Sequence, residues 1–367
     1  AFETISTTDT LSFRNLIING GMQVAQRGTS STASGMNTVD RFSVEYAGEN
    51  EDPTQEQVDV ASGTPAWNVG FRKAVKITNG NQTGGAGGTD LSLVRQIIEA
   101  QNIACSGWNY LSASSYITLS FWIKSSVAQV FTGNLRTSDG SQYVYKFDTP
   151  SLSADTWTKV TKTIPGNSNL TFNNDNGQGL IFHLYAMIGT DYTTSNSDTE
   201  TWLAAGGGNY ANDITTTWWT TNDATLEMTG VQLEVGSTAT DFEHRSYAEE
   251  LVRCQRYCYK IDSPDASGNV SVFGLCFAQA TDTFRWPHQW PQKMRTVPSL
   301  SASSGSDFKV YDGSNSEVCN SVVIDAASSF SGIIVFGSSG TSMNVGHAPQ
   351  VYANNTQTAW ILLKAEL

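Results

Sequence analysis

The chain is poor in charged residues, and basic residues are the scarcer kind. Among 367 residues, Lys and Arg together number 21 against 34 Asp and Glu, which gives a formal net charge of −13. Proteins that bind nucleic acid neutralise phosphates with clustered Lys and Arg side chains, and the sequence contains no such cluster. The composition therefore argues against a nucleic-acid partner and favours a soluble protein with an acidic surface.

Cysteine is also scarce. The five cysteines form an odd, widely spaced set in a long chain, so the sequence predicts no disulfide framework. Cys254 and Cys258 lie four residues apart on the predicted helix, but no second pair has zinc-ligand spacing. We expect buried free thiols, as in a protein that assembles in a reducing cytoplasm.

Long apolar runs are missing. No stretch of about 18 consecutive apolar residues occurs, so we expect no transmembrane helix and no membrane insertion. Residues 1–14 lack an apolar core, which predicts a short polar arm rather than a secretion signal. A chain beginning with Ala1 would fit removal of an initiator methionine.

Short strand patterns separated by polar turns dominate what is present. The clearest strand is Tyr116–Lys124, which is rich in β-branched and aromatic residues. Similar segments recur on both sides of it, and they predict an all-β protein. We expect a jelly-roll β-sandwich over residues 15–245, preceded by the arm at 1–14, and a smaller C-terminal β-sandwich domain over residues 263–367.

One short helix is predicted between the two β domains, over residues 246–262. Ser246 and Glu249 have the spacing of a capping box, in which each side chain serves the other residue's backbone amide. An apolar seam of two heptads follows along the same stretch. It indicates either a connecting helix packed on its own sandwich or a short coiled coil on the symmetry axis of an oligomer. The seam residues are Tyr247, Leu251, Cys254, Cys258 and Ile261.

Catalytic patterns are not evident. No histidine has a neighbour at metal-ligand spacing, and most aspartates adjoin turn residues, where they cap the backbone. We therefore expect no enzymatic activity and no required cofactor. A structural Ca²⁺ ion remains possible because hard oxygen ligands are abundant, with an ordinary salt bridge or cap as the alternative for each ligand. The candidate ligands are Asp40, Gln232 and Glu234.

Aromatic residues in polar loops are the better functional signal. Sugars present apolar faces rimmed by hydroxyl groups, and a flat ring beside amides complements such a surface. The alternative for each ring is that it closes an edge of the sandwich. The candidate glycan-binding residues are Trp67, Trp108, Tyr110, Trp202 and Tyr210.

Three stretches resemble a recurrent type of bacteriophage virion protein, seen especially in marine phages. They are NLIINGGMQVAQRG at 15–28 with TVDRF at 38–42, the strand YITLSFWIK at 116–124, and the segment at 230–257. The second is similar to a strand of carbohydrate-binding-module-like jelly rolls. More weakly, residues 286–298 and the ending at 359–367 are similar to C-terminal domains of phage fibre-like proteins.

The resemblance implies a structural virion protein: a tail fibre or receptor-binding appendage, often a homotrimer, that contacts other virion proteins and host surface polysaccharide. Only about 14 residues precede the first matching strand, whereas long tail fibres usually carry a sizeable attachment domain. A capsid decoration or head-fibre protein is therefore an alternative. A carbohydrate-binding module without a virion role and a small glycan-degrading tailspike are further alternatives.

Overall fold

The computed structural model describes residues 14–194, 199–263 and 271–367, and the predicted arm at 1–14 lies almost wholly outside them. The chain divides into two compact units, residues 1–250 with Leu367, and residues 251–366. We call them the N-terminal and the C-terminal unit. Each is built from antiparallel β-sheets, so the predicted all-β class is confirmed.

The N-terminal unit contains two six-stranded sheets. In spatial order, the first sheet consists of β1 (Ser30–Ser31), β3 (Thr54–Asp59), β4 (Lys73–Thr78), β14 (Thr225–Val235), β6 (Tyr116–Ser125) and β9 (Thr158–Pro165). The second consists of β12 (Trp202–Ala204), β8 (Tyr143–Asp148), β7 (Thr132–Thr137), β10 (Gln178–Ile188), β5 (Leu91–Glu99) and β2 (Ser43–Ala47). Strands distant in sequence lie side by side, as in a jelly roll.

Smaller elements join these strands. The strands β11 (Thr193–Thr194) and β13 (Ala211–Asn212) form a parallel pair. Three short helices, α1 (Pro65–Asn68), α2 (Ala100–Ala104) and α3 (Thr217–Thr220), lie in the connections.

The core of the N-terminal unit lies between its two sheets. Alternate residues of β6 point inward and are fully buried, among them Leu119 and Phe121. The ring of Phe121 is 5.8 Å from that of Phe182 on the second sheet, measured between centroids. Alternation of this kind is expected of a strand with one face in a core. The predicted sandwich is thereby confirmed.

The C-terminal unit is also all-β. Its seven-stranded sheet contains, in order, β16 (Val272–Leu275), β23 (Gln350–Ala353), β20 (Phe308–Tyr311), β21 (Ser316–Asp325), β22 (Ser331–Ser338), β18 (Thr283–Gln289) and β17 (Phe277–Ala280). A three-stranded sheet contains β15 (Cys258–Asp262), β24 (Trp360–Lys364) and β19 (Ser299–Ala302). One apolar cluster takes residues from both sheets, so the prediction of a second, smaller β domain is confirmed.

The predicted helix exists but is shorter than expected. Helix α4 spans Tyr247–Gln255, and its capping box forms as predicted. The amide of Glu249 donates to Ser246 Oγ at 3.3 Å, and the amide of Ser246 donates to Glu249 Oε2 at 3.0 Å. Glu249 and Glu250 in the first turn and Arg253 in the last complement the helix dipole.

The apolar seam is not one helical stripe. Tyr247, Leu251 and Cys254 lie on α4, whereas Cys258 and Ile261 lie on β15. Strand β15 pairs with β24 over five residues, and these ladder bonds hold residues 258–262 extended instead of helical. The prediction of a continuous two-heptad helix was therefore wrong. In α4 itself, Tyr247 is 56% exposed while Cys254 is buried.

All five cysteines are free thiols, and four of them are buried. Burial raises the pKa of Cys276 to about 12 and that of Cys319 to about 12, so both stay protonated at neutral pH. Cys105 is exposed, unlike the buried state expected of it. Within the described ranges, no helix has the length and apolar character needed to cross a membrane.

Candidate functional site

A groove of about 320 Å³ lies on the outer face of the first sheet. Strands β6, β9 and β14 form its floor, and two connecting segments form its walls. Its lining residues combine aromatic rings with hydroxyl and charged groups: Val69, Phe71, Ser120, Trp122, Lys159, Gly230, Thr240, Asp241, Phe242 and His244.

Trp122 is the central aromatic residue of the groove floor. It lies between the inward-facing Phe121 and Ile123, so strand alternation points its indole away from the core. Its cross-strand neighbours are Lys159 on β9 and Thr229 on β14. The side chain is only partly buried, which leaves an indole surface open to a ligand.

Three aromatic rings that meet edge to face form one wall of the groove. The centroids of Phe71 and Phe242 are 4.8 Å apart, and those of Phe242 and His244 are 4.9 Å apart. The Nε2 of His244 lies 2.9 Å from the carbonyl oxygen of Val69, which fixes the imidazole at the rim. A glycine makes room for this wall: Gly230 has φ of 66°, and a Cβ there would lie 2.4 Å from the Phe71 ring.

Polar groups surround the aromatic floor. Ser120 and Thr240 supply hydroxyl groups, and Lys159 and Asp241 supply one charge of each sign. Thr240 is held in place because its amide and its Oγ1 both donate to Glu234, at 2.8 and 2.6 Å. A flat ring rimmed by donors and acceptors suits a saccharide, which is apolar on its ring face and polar at its edges.

An apolar cluster under and beside the groove keeps its floor rigid. Trp157 and Phe71 are its two buried aromatic members, and Trp67 and Trp122 pack against it while staying partly exposed. The guanidinium of Arg72 lies 4.2 Å from the Trp67 ring centroid. Of the five predicted glycan-binding residues, Trp67 is thus the one that lies near the groove, although it does not line it.

The structure does not bring the five predicted glycan-binding residues together. Trp108 is only 3% exposed, and its indole N–H donates to the carbonyl of Ser115 at 3.3 Å. Tyr110 packs edge-on against Phe172 in the same core. Trp108 therefore offers no surface to a ligand, whereas Tyr110 stays partly exposed at the edge of the core.

The remaining two predicted residues lie elsewhere in the same unit. Trp202 is 7% exposed, and its indole N–H donates to the carbonyl of Pro165 at 2.7 Å. It is therefore a core residue. Tyr210 lies partly exposed on the outer face of the second sheet, beside Arg136.

The three predicted calcium ligands also fail to converge. Gln232 and Glu234 are bonded to each other at 2.9 Å, and Thr240 donates twice to the same carboxylate. Asp40 instead accepts the amide of Gln26 at 3.1 Å and belongs to a different part of the unit. Their oxygens are satisfied by N–H and O–H donors, as in the salt-bridge or cap alternative. Across the described ranges, no group of three or more His, Cys, Asp or Glu could hold a metal ion.

Sequence reasoning missed Trp122, Phe242 and His244. The signal for Trp122 was available, since it alternates with buried residues on the clearest strand and must face outward. No local signal marks Phe242 and His244, which reach the groove only because residues 240–244 fold back over β14.

No family model matches the chain, and no curated protein matches it. Solved structures that it resembles include the enzymatically active domain of tailspike protein 4 from bacteriophage CBA120, at 9% identity and a TM-score of 0.31. That match covers 60% of this chain and 21% of the other, so the chain spans about a fifth of the tailspike structure.

Two further similar structures are carbohydrate-binding modules. The N-terminal cellulose-binding domain of β-1,4-glucanase C from Cellulomonas fimi is 9% identical with a TM-score of 0.28, over 59% of this chain and 99% of that domain. The family 11 carbohydrate-binding module from Clostridium thermocellum, in complex with a β-1,3-1,4-mixed-linked tetrasaccharide, is 11% identical with a TM-score of 0.25, over 59% and 98%. At these values the likeness assigns no ligand to this chain.

Proposed function

We propose that the chain binds glycans through the groove of Trp122 and does not cleave them. The observation that carries this proposal is the half-buried indole on the groove floor, with Thr240, Lys159 and Asp241 at its edge. Such a site can stack one face of a pyranose ring and hydrogen-bond its hydroxyl groups. Of the ten residues that line the groove, Asp241 is the only carboxylate, whereas glycoside hydrolysis ordinarily uses two.

Replacement of Trp122 by alanine should remove glycan retention while the protein stays folded. Loss of the stacked ring is expected to weaken binding about tenfold or more, a change of roughly 1.4 kcal/mol. Affinity electrophoresis and calorimetry with polysaccharides of the host surface would measure it. The matched control is Trp67→Ala, which removes a similarly exposed indole of the same cluster outside the groove. Equal affinity in the two variants would contradict the proposal.

We also propose that this glycan-binding protein is a structural component of a bacteriophage virion, a tail fibre or receptor-binding appendage made in the host cytoplasm. The support is the resemblance of residues 15–28, 116–124 and 230–257 to virion proteins. Two of these stretches are in direct contact. The side-chain amide of Asn15 donates to the carbonyl of Val231 at 3.0 Å, and the amide of Leu233 donates back to Asn15 Oδ1 at 3.0 Å.

Particles that carry this chain should bind an antibody raised against it. We expect electron microscopy of intact particles to show the label on surface appendages, and light scattering of the purified protein to give the mass of a homotrimer. Label on the tail would favour a fibre, and label on the capsid would favour a decoration or head-fibre protein. A monomer absent from purified particles would refute the virion assignment and leave the groove experiment unaffected.

A further inference from the structure

The outer face of the second sheet carries two arginines on either side of its central strand. Arg95 on β5 and Arg136 on β7 flank β10, where His183 pairs with Arg95 and Ile181 pairs with Arg136. Inward-facing residues of the same strands, such as Leu135, are in the core. The two guanidinium groups therefore share one face of the sheet, opposite to the face that packs on the first sheet.

The two arginines differ in their partners. Arg95 forms an ion pair with Glu45, with 2.7 Å between Nη2 and Oε1. Within residues 14–194, 199–263 and 271–367, the guanidinium of Arg136 has neither an ion pair nor a hydrogen bond, and its Nε is buried without an acceptor. The Nε of Arg95 is buried without an acceptor as well, so the lack of an ion pair within the described residues is what distinguishes Arg136, on a chain of net charge −13.

Tyr210 is held beside Arg136 by backbone anchors. The side-chain amide of Asn134 donates to the carbonyl of Tyr210 at 2.7 Å, and the amide of Tyr210 donates to the carbonyl of Tyr192 at 3.1 Å. With its main chain fixed, the Tyr210 ring lies 5.8 Å from the guanidinium carbon of Arg136. Both side chains are partly exposed, so the pair is accessible from solvent.

The positive potential of the two arginines reaches the middle of the face. Burial lowers the pKa of His183 well below its usual range, and Arg136 and Arg95 add to that shift. His183 is therefore neutral, and its Nδ1 lies 2.8 Å from Asn134 Oδ1. Burial also raises the pKa of Tyr185 to about 12, against the opposite effect of the Asn134 hydrogen bond and of Arg136. His183 and Tyr185 therefore stay uncharged at neutral pH, between the Arg136 guanidinium and the Arg95–Glu45 ion pair.

We propose that Arg136 and Tyr210 form a second saccharide subsite, on the sheet opposite the groove, that binds an acidic sugar through its carboxylate or sulfate group. This inference rests on the proposed glycan-binding function and specifies that one of the bound sugars is negatively charged. The guanidinium has a fork of N–H donors that matches the paired oxygens of either anion. The tyrosine ring supplies the apolar surface on which the pyranose lies. A lysine at this position would provide the positive charge but not the pair of parallel N–H donors.

The test uses the full-length protein, with oligogalacturonate as the carboxylate probe, a sulfated galactan oligosaccharide as the sulfate probe, and a neutral oligosaccharide. Calorimetry at low ionic strength should show binding of at least one acidic probe by the wild type. Arg136→Gln should weaken that binding about tenfold or more, because charge-assisted hydrogen bonds are lost. Arg136→Lys should recover only part of the loss. The more strongly affected probe identifies the anion.

Two variants separate this subsite from the groove. Arg72→Gln removes another guanidinium that lies over an aromatic ring, on the first sheet, and should bind the acidic probes like the wild type. Trp122→Ala should lose the neutral probe and keep the acidic one. Wild-type affinity for acidic probes in a folded Arg136→Gln, or no acidic binding by the wild type, would overturn the inference. Neutral-glycan binding that depends on Trp122 would still stand in either case.

Discussion

Replacing Arg245 by methionine should destabilise the N-terminal unit by about 3–5 kcal/mol, the typical cost of removing one member of a buried ionic network. The Arg245 side chain is only 6% exposed and reaches two carboxylates, Glu243 at 3.0 Å and Glu250 at 3.5 Å. It also donates to the carbonyls of Asn15 and Ile17, at 2.5 and 3.2 Å. Methionine keeps much of the volume but leaves both carboxylates and both carbonyls without their cation.

Hydrogen exchange followed by mass spectrometry under increasing urea would measure this effect for each unit separately. Peptides from β6 and β14 should lose protection at lower urea, while peptides from β21 and β22 should exchange as in the wild type. The matched control is Arg72→Met, whose exposed side chain should change stability by no more than about 0.5 kcal/mol. Equal protection in the Arg245 and Arg72 variants would contradict a role for this network.

The same network joins the stretches at 15–28 and 230–257. Asn15 accepts the amides of Ile17 and Leu233 on one oxygen, each at 3.0 Å, and donates to Val231. Asn19 joins it through its amide, which donates to Glu250 Oε1 at 2.6 Å. The stretches at 15–28 and 230–257 are thus two halves of one hydrogen-bonded structure.

Features with a local cause were predictable from the sequence. Residues 116–125 alternate apolar and polar side chains, and they form the strand β6. The capping box of Ser246 and Glu249 needs only residues three positions apart, and it forms. The end of α4 was not predictable in this way, because residues 258–262 take their conformation from β24, about a hundred positions later.

The groove required long-range contacts that no local pattern encodes. Phe71 packs edge-to-face against Phe242, and Gly230 makes room for Phe71, although Phe71 is far from the other two in the chain. Polar neighbours in sequence do not predict whether a loop tryptophan is exposed, because a backbone carbonyl distant in the chain can accept its indole hydrogen bond. For Trp202 that partner is the carbonyl of Pro165, 37 positions away.

Replacing Trp202 by alanine should therefore cost stability rather than glycan affinity. The ring is 7% exposed and lies 5.5 Å from that of Tyr145, so its removal leaves a cavity in the sandwich and should destabilise the unit by about 3–5 kcal/mol.

Hydrogen exchange would measure this loss, and calorimetry at a temperature where the variant is folded should give wild-type glycan affinity. Trp202→Phe, which keeps an aromatic ring but loses the N–H donor to Pro165, should be intermediate in stability. If affinity fell while stability did not change, Trp202 would be an exposed sugar platform after all. The groove of Trp122 would then lose its place as the principal binding surface.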